Sequence, residues 1–362
     1  MELKTPLHDA HINAGGQMVS FAGWSMPIHY GSQIQEHQAV RETAGMFDVS
    51  HMTVVDIQGP QTHEYLRHLL ANDVAKLTDA GQALYGCMLN EAGGIIDDLI
   101  TYRLESNFYR TVVNAATRQA DLDWMRAQSK PFEVEIVERD DLAMVAVQGP
   151  QARQHVIDAL NAPELDSLKP FNAAQVGDWF VARTGYTGED GFEVLLPASQ
   201  AETFWATLSS SGVVPCGLGA RDSLRLEGGL NLYGQDMTTD THPFESNLGW
   251  TVVMNINERP FIGAAALEKA KTAGFDRQLV GLVLNKGAIP RTGSVVTTPG
   301  GPGVITSGSF APTLDRPIAL ARIPRGDFDR VEVEVRGKSL PAAVVNPPFV
   351  RAGKIKVDLD SI

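Results

Sequence analysis

The chain has 362 residues, 43% of them hydrophobic, and a formal net charge of −13. That length suggests roughly two or three domains with real cores, and so acidic a chain is a poor non-specific binder of nucleic acid. Two cysteines, Cys87 and Cys216, build no disulfide framework and fit a reducing compartment, residues 1–6 hold no apolar signal core, and no apolar run is long enough to span a membrane. The expectation is a cytoplasmic, multi-domain protein, turn-rich because Gly (34) and Pro (20) are plentiful.

Phe21-Ala22-Gly23-Trp24-Ser25-Met26-Pro27 reads as an aromatic loop broken by Gly and Pro, residues 33–43 as a helix, and residues 46–52 as the approach to a strand. An internal repeat follows. Val54-Val55-Asp56-Ile57-Gln58-Gly59-Pro60-Gln61 precedes a helical pattern at Tyr65, Leu66, Leu69 and Leu70. Ninety positions on, Met144-Val145-Ala146-Val147-Gln148-Gly149-Pro150-Gln151 precedes another at Val156, Ile157 and Leu160. Each is a strand, a Gly-Pro turn and a helix. The echo continues: a strand at 109–113 leads into a helix around Leu122 and Trp124, and one at 192–196 leads into a helix around Phe204 and Trp205. Matching order predicts two related α+β halves.

Within the first half lies Gly93-Gly94-Ile95-Ile96-Asp97-Asp98-Leu99-Ile100-Thr101-Tyr102-Arg103, a turn and a strand with two adjacent carboxylates. Alternation puts Asp98 on a face with Ile96, Ile100 and Tyr102, and Asp97 on the other with Ile95, Leu99 and Thr101. At least one carboxylate therefore meets apolar packing, where an unpaired charge costs several kcal/mol. It either caps the turn or is held for a polar ligand.

Arg183-Thr184-Gly185-Tyr186-Thr187-Gly188-Glu189-Asp190-Gly191-Phe192-Glu193-Val194-Leu195 reads as a hairpin with a Gly-rich turn. Glu193 needs a partner: Arg183 across the hairpin, or a flat heterocycle offering two adjacent N–H groups. Gly217-Leu218-Gly219-Ala220 leads into a short helix over 221–227. There Arg221 and Arg225 stand at i,i+4, relieved by Asp222 and Glu227 or bracketing a bound carboxylate. A Tyr233-Gly234-Gln235-Asp236 loop, a strand near Trp250-Thr251-Val252-Val253 and a helix over 262–271 follow. From Arg277 on, apolar runs at 280–284, 318–321, 331–335 and 342–345 alternate with Gly/Pro turns, the texture of a small antiparallel β domain.

Most standard signatures are absent. The sequence has no phosphate-binding or dinucleotide glycine loop, no Cys-x-x-Cys and no G-x-S-x-G. His63 and His68 stand five apart, where a helical zinc pair needs four, so no metal site is predicted.

Taken in order, Phe21-Ala22-Gly23-Trp24, Gly45-Met46-Phe47-Asp48-Val49-Ser50-His51-Met52, the Gly93 to Leu99 stretch, the Arg183 to Glu193 stretch, Gly217-Leu218-Gly219-Ala220-Arg221-Asp222 and Ile305-Thr306-Ser307-Gly308 resemble the aminomethyltransferase (T-protein) family of the glycine cleavage system. The resemblance covers essentially the whole chain. It implies an α+β fold, a three-domain cloverleaf of two related α+β domains and a C-terminal antiparallel β-barrel-like domain around a central folate channel. Set on this chain, the domains are residues 1–52 with 141–226, 53–140 with 227–275, and 276–362. The implied reaction moves the methylene of an aminomethyl group from the lipoyl arm of a partner H-protein to tetrahydrofolate. The products are 5,10-methylenetetrahydrofolate, ammonia and a dihydrolipoyl arm.

By the same matching, Asp98 is the catalytic carboxylate that orients the folate amine, relays its proton and balances an iminium-like cation. Glu193 is the pterin anchor, Tyr186 a pterin-channel residue and Arg221 a site residue near the channel. Met52, Tyr85, Tyr102, Val112 and Asn114 line the folate site. The chain departs from the family pattern at Ala311 and in the compact stretch 297–303. Alternatives on the same fold are a folate-dependent demethylase, the folate domain of sarcosine or dimethylglycine oxidases, and a non-enzymatic folate-binding iron–sulfur repair protein. The sequence carries no flavin domain, and Gly229-Leu230-Asn231-Leu232-Tyr233-Gly234-Gln235-Asp236 lacks the cysteine of the repair group's signature.

Overall fold

The computed structural model describes residues 2–359. The chain falls into two compact units, one of residues 1–65, 74–84 and 99–222, the other of residues 66–73, 85–98 and 223–362.

The first unit is built on a six-stranded sheet. Its order is Ala173–Val176, Trp179–Ala182, Gly191–Pro197, Leu142–Gln148, Gly45–Asp48 and Val214–Pro215. The helices Ala152–Leu160 and Ala201–Ser210 share a core with it: Val145, Val147, Phe192 and Val194 pack with Val156, Phe204, Trp205 and Leu208. Alternation then turns Glu193 to the opposite face of its strand. Its cross-strand neighbours are Ala146 and Ala182, two small side chains that leave room over the carboxylate.

The predicted repeat is present. The strand Thr53–Gln58 turns through Gly59 and Pro60 into the helix Thr62–Leu69, as Leu142–Gln148 turns through Gly149 and Pro150 into Ala152–Leu160. Gly59 and Gly149 adopt nearly the same left-handed backbone, at φ 136° and 130°, which only glycine takes without strain. In each case the glycine carbonyl accepts from the first amide of the following helix. The strand Thr53–Gln58 belongs to a second sheet, ordered Ala83–Leu89, Ile95–Glu105, Phe108–Val113, Thr53–Gln58 and Glu135–Glu138.

In the second unit, six antiparallel strands close into a barrel in the order Arg277–Leu284, Arg316–Pro324, Gly301–Ala311, Val295–Thr298, Arg330–Val335 and Lys338–Val345. Strict alternation supplies its lining. Val331, Val333 and Val335 are buried while Glu332 and Glu334 are exposed, and closure leaves no sheet edge to pair with another chain. The register slips between Ile305 and Ser307, so Thr306 is an extra residue in the ladder. That slip lets two successive hydroxyls reach one carboxylate: Thr306 Oγ1 donates to Asp236 Oδ1 (2.5 Å) and Ser307 Oγ to Asp236 Oδ2 (2.9 Å). Arg225 completes a buried network, with Nη1 on Asp236 Oδ2 (2.8 Å) and Nη2 on Ser307 Oγ (2.9 Å).

Most predicted elements lie within a few residues of their expected bounds. Two do not. The aromatic loop expected over 21–27 is a hairpin, Gln17–Phe21 paired with Trp24–His29, because the chain reverses within Ala22 and Gly23, both at positive φ, and leaves the flanking residues free to pair. The strand expected near Trp250 is a short helical turn, Gly249–Thr251, because the Thr251 amide and hydroxyl both bond back to the Leu248 carbonyl. The barrel strands Val295–Thr298 and Gly301–Ala311 fall outside the apolar runs read from the sequence, the second because Gly301, Pro302 and Gly303 read as turn. Among the described residues no helix is long and apolar enough to cross a membrane.

Candidate functional site

Three of the predicted site residues of the first unit, Tyr102, Tyr186 and Arg221, are linked to Glu193. Thr184 Oγ1 donates to Glu193 Oε2 at 2.7 Å, and the Tyr102 hydroxyl lies 3.1 Å from Thr184 Oγ1. Threonine has one hydroxyl proton, and here the carboxylate takes it, so Tyr102 must donate to Thr184. Burial, and then the nearby Glu193 charge, push the Tyr102 phenol up and keep it a neutral donor. Among the described residues Thr184 alone donates a hydrogen bond to Glu193, at Oε2. Burial raises the Glu193 carboxyl, while the Thr184 bond and the Arg221 charge pull it back. The Arg221 guanidinium lies over the Tyr186 ring, 4.6 Å from its centre.

Loop 183–190 is firmly fixed. Arg183 forks onto Asp190 with bonds of 2.8 and 2.6 Å. Arg41 grips the Thr187 carbonyl (2.9 Å) and the Glu189 carboxylate (2.6 Å), and Gln148 bonds the Thr184 carbonyl and the Thr187 hydroxyl. Arg183 is thus committed to Asp190 and is not the cross-hairpin partner of Glu193. Its strand ends at Ala182, which is the residue paired with Glu193.

The other first-unit residues are simply placed. Met52 is half-buried just after the Gly45–Asp48 strand, Val112 is buried in Phe108–Val113, and Asn114 follows that strand. His51, which carries no predicted role, is buried with Nδ1 unpartnered among the described residues and its ring edge-on to Phe21. Burial, and then the Arg221 charge, push its pKa down to about 4, so the ring is neutral at physiological pH.

The predicted residues of the second unit are Asp98 and Tyr85. Of the adjacent carboxylates, Asp97 is fully buried and Asp98 half-buried. The Tyr85 hydroxyl donates to Asp98 Oδ2 at 2.7 Å, and Trp250 stacks on the Tyr85 ring. The turn before the strand is closed by Asn90, whose side-chain oxygen accepts from the Gly94 amide at 2.9 Å. Segment 230–241 clamps the strand's first residue: the Tyr233 hydroxyl donates to the Ile95 carbonyl (3.0 Å), and the Ile95 amide bonds Thr241 O (2.9 Å).

Arg225 does not help to bracket a ligand carboxylate, because Asp236 already holds it in a buried pair. Sequence reasoning does not single out Thr184 or Trp250, which contact Glu193 and Tyr85. Thr184 stood inside a quoted motif, and a hydroxyl two residues before a predicted aromatic site residue was its only signal.

An N-terminal α+β region followed by a closed antiparallel barrel places the chain in a known class. Residues 7–256 match the GCVT N-terminal domain, and residues 277–351 match the glycine cleavage T-protein C-terminal barrel domain. Over nearly its whole length the chain is similar to the glycine cleavage system aminomethyltransferase T from Bartonella henselae. The two are 38% identical with a TM-score of 0.92, covering 98% of this chain and 100% of that one. The chain belongs to the aminomethyltransferase T-protein family of the glycine cleavage system. A heterotetrameric sarcosine oxidase from Corynebacterium sp. U-96 matches with a TM-score of 0.34 and 11% identity, over 57% of this chain and 93% of that one, too weakly to bear on fold or function.

Proposed function

We propose that the chain transfers the methylene of an aminomethyl group, carried on the lipoyl arm of an H-protein, to tetrahydrofolate. The products are 5,10-methylenetetrahydrofolate, ammonia and a dihydrolipoyl arm. The full-length likeness to an aminomethyltransferase T carries this reading.

In it, Glu193 anchors the pterin. Thr184 occupies Oε2, and Oε1 accepts adjacent ring N–H groups, a charge-assisted bond stronger than a neutral one. Tyr186 and Arg221 bound the same ligand, and Met52, Tyr102, Val112 and Asn114 line its site. Asp98 orients the folate amine, takes its proton and stabilises positive charge as ammonia departs. Tyr85 fixes one oxygen of Asp98 for that task.

The direct test supplies the purified chain with aminomethyl-loaded lipoyl H-protein and tetrahydrofolate. Equal amounts of methylenetetrahydrofolate and ammonia should form. Tight folate binding without either product would return the chain to a binding role.

A further inference from the structure

Trp250 is 68% exposed, more than any other large apolar side chain among the described residues. Its turn is nevertheless rigid. Thr251 is fully buried, its hydroxyl donates to Leu248 O at 2.7 Å, and Cys87 Sγ lies 3.8 Å from Thr251 Oγ1. The Val253 amide bonds Ala71 O at 3.1 Å. Two consecutive turn residues therefore meet two same-face residues of the strand Ala83–Leu89: Thr251 meets Cys87, and Trp250 meets Tyr85.

The indole lies on the Tyr85 ring with centroids 5.9 Å apart and planes 27° from parallel. The Tyr85 hydroxyl donates to Asp98 Oδ2 at 2.7 Å. A phenol oxygen sits at the far end of its side chain, so a small swing about χ1 carries it out of hydrogen-bond range. A second aromatic face laid along the ring opposes that swing. An indole left mostly in water adds little to a core, but one braced on a fixed turn can set the plane of its neighbour.

We propose that Trp250 is a positioning residue for Asp98, acting through Tyr85. The proposal rests on the aminomethyl-transfer reading for its kinetic test but not for its structural one. Trp250 holds the phenol aimed at Oδ2, and the phenol holds the carboxylate in a single orientation.

The test compares wild type with Trp250→Ala, Trp250→Phe, Tyr85→Phe and the Trp250→Ala/Tyr85→Phe double variant, using loaded lipoyl H-protein and tetrahydrofolate. Trp250→Ala should lower kcat about fivefold to tenfold, with both KM values within about twofold, because the loss is of alignment, not of binding. Trp250→Phe should recover at least half of that loss. In the Tyr85→Phe background, Trp250→Ala should cost nothing further, since both act through one hydroxyl. An unchanged kcat in Trp250→Ala, a change confined to KM, or additive losses in the double variant would each overturn the proposal.

A second readout needs no turnover. With ζ-13C tyrosine, the Tyr85 resonance, assigned from Tyr85→Phe, should shift or broaden in Trp250→Ala and return in Trp250→Phe. An unmoved Tyr85 resonance in Trp250→Ala overturns the proposal whatever the kinetics give. An inactive wild type counts against the reaction alone, and the Tyr85 resonance then decides the positioning role.

Discussion

Loop 183–190, ahead of Glu193, and turn 90–94, ahead of Asp98, are held in place by different forces. The loop depends on charge: Arg183 on Asp190, and Arg41 on Glu189. The turn depends on fit. A Cβ on Gly94 would lie 1.8 Å from the Thr239 carbonyl oxygen, a distance no side chain tolerates. A partly solvated clasp such as Arg183–Asp190 is specific in partner but weakened by salt and solvent. A close backbone approach ignores salt but admits no added atom. The proposed ligand anchor thus sits by an electrostatic clasp, and the proposed catalytic carboxylate follows a steric one.

The largest expected effect falls on the Asp98 side. Asp98→Asn keeps size and removes charge, and should lower the single-turnover transfer rate by at least about 100-fold. Tetrahydrofolate affinity should stay within about twofold, and full activity in this variant would dismiss Asp98 as the catalytic group. The next concerns His51, on which the Arg221 charge also acts. Its folded pKa is depressed from 6.5 to about 4, so between those values the unfolded chain binds a proton that the native chain refuses. Stability is then complete above about pH 6.5 and falls as pH drops toward 4, by roughly 2–3 kcal/mol. Urea unfolding at pH 7.5 and 4.5 should show that difference in wild type and a smaller one in His51→Gln.

Gly94→Ala should destabilise by about 1–3 kcal/mol, with the same cost at low and high salt. Glu193→Ala should raise the tetrahydrofolate KM about tenfold at unchanged kcat, the loss of one charge-assisted bond; an unmoved KM would make Glu193 purely structural. The smallest effect is expected from Arg183→Ala. Its pair with Asp190 is partly solvated, so the loss should be under about 1 kcal/mol and should shrink further in high salt. Equal salt responses of Gly94→Ala and Arg183→Ala would erase the contrast between loop and turn.

Much of this arrangement could be read in the sequence, for definite reasons. The paired Gly-Pro turns exposed the repeat because each must solve the same backbone problem before a helix. The alternation of Val and Glu over 331–335 exposed a barrel strand. Glu193 stood out because a carboxylate between Phe192 and Val194 demands an explanation. Its actual partner did not, since Thr184 becomes a neighbour only when loop 183–190 folds back, and Arg183 was the more obvious candidate. Trp250 was lost to local propensity: Trp-Thr-Val-Val favours a strand, but Thr251 closes a tight turn on Leu248 instead. Arg225 could not be separated from Arg221 because its partners Asp236 and Ser307, 11 and 82 residues further on, become neighbours only in the folded chain.

The slipped register at Thr306 makes this stretch sensitive to its length. One surplus residue brings adjacent hydroxyls to the same aspartate, where an unbroken ladder would send them to opposite sides. Trading Thr306 for Ser should be tolerated, while excising it would re-zip the ladder and strip Asp236 of a donor. Homologous chains should therefore vary here in spelling but not in count, so that Ile305-Thr306-Ser307-Gly308 marks a frozen insertion more than a fixed composition.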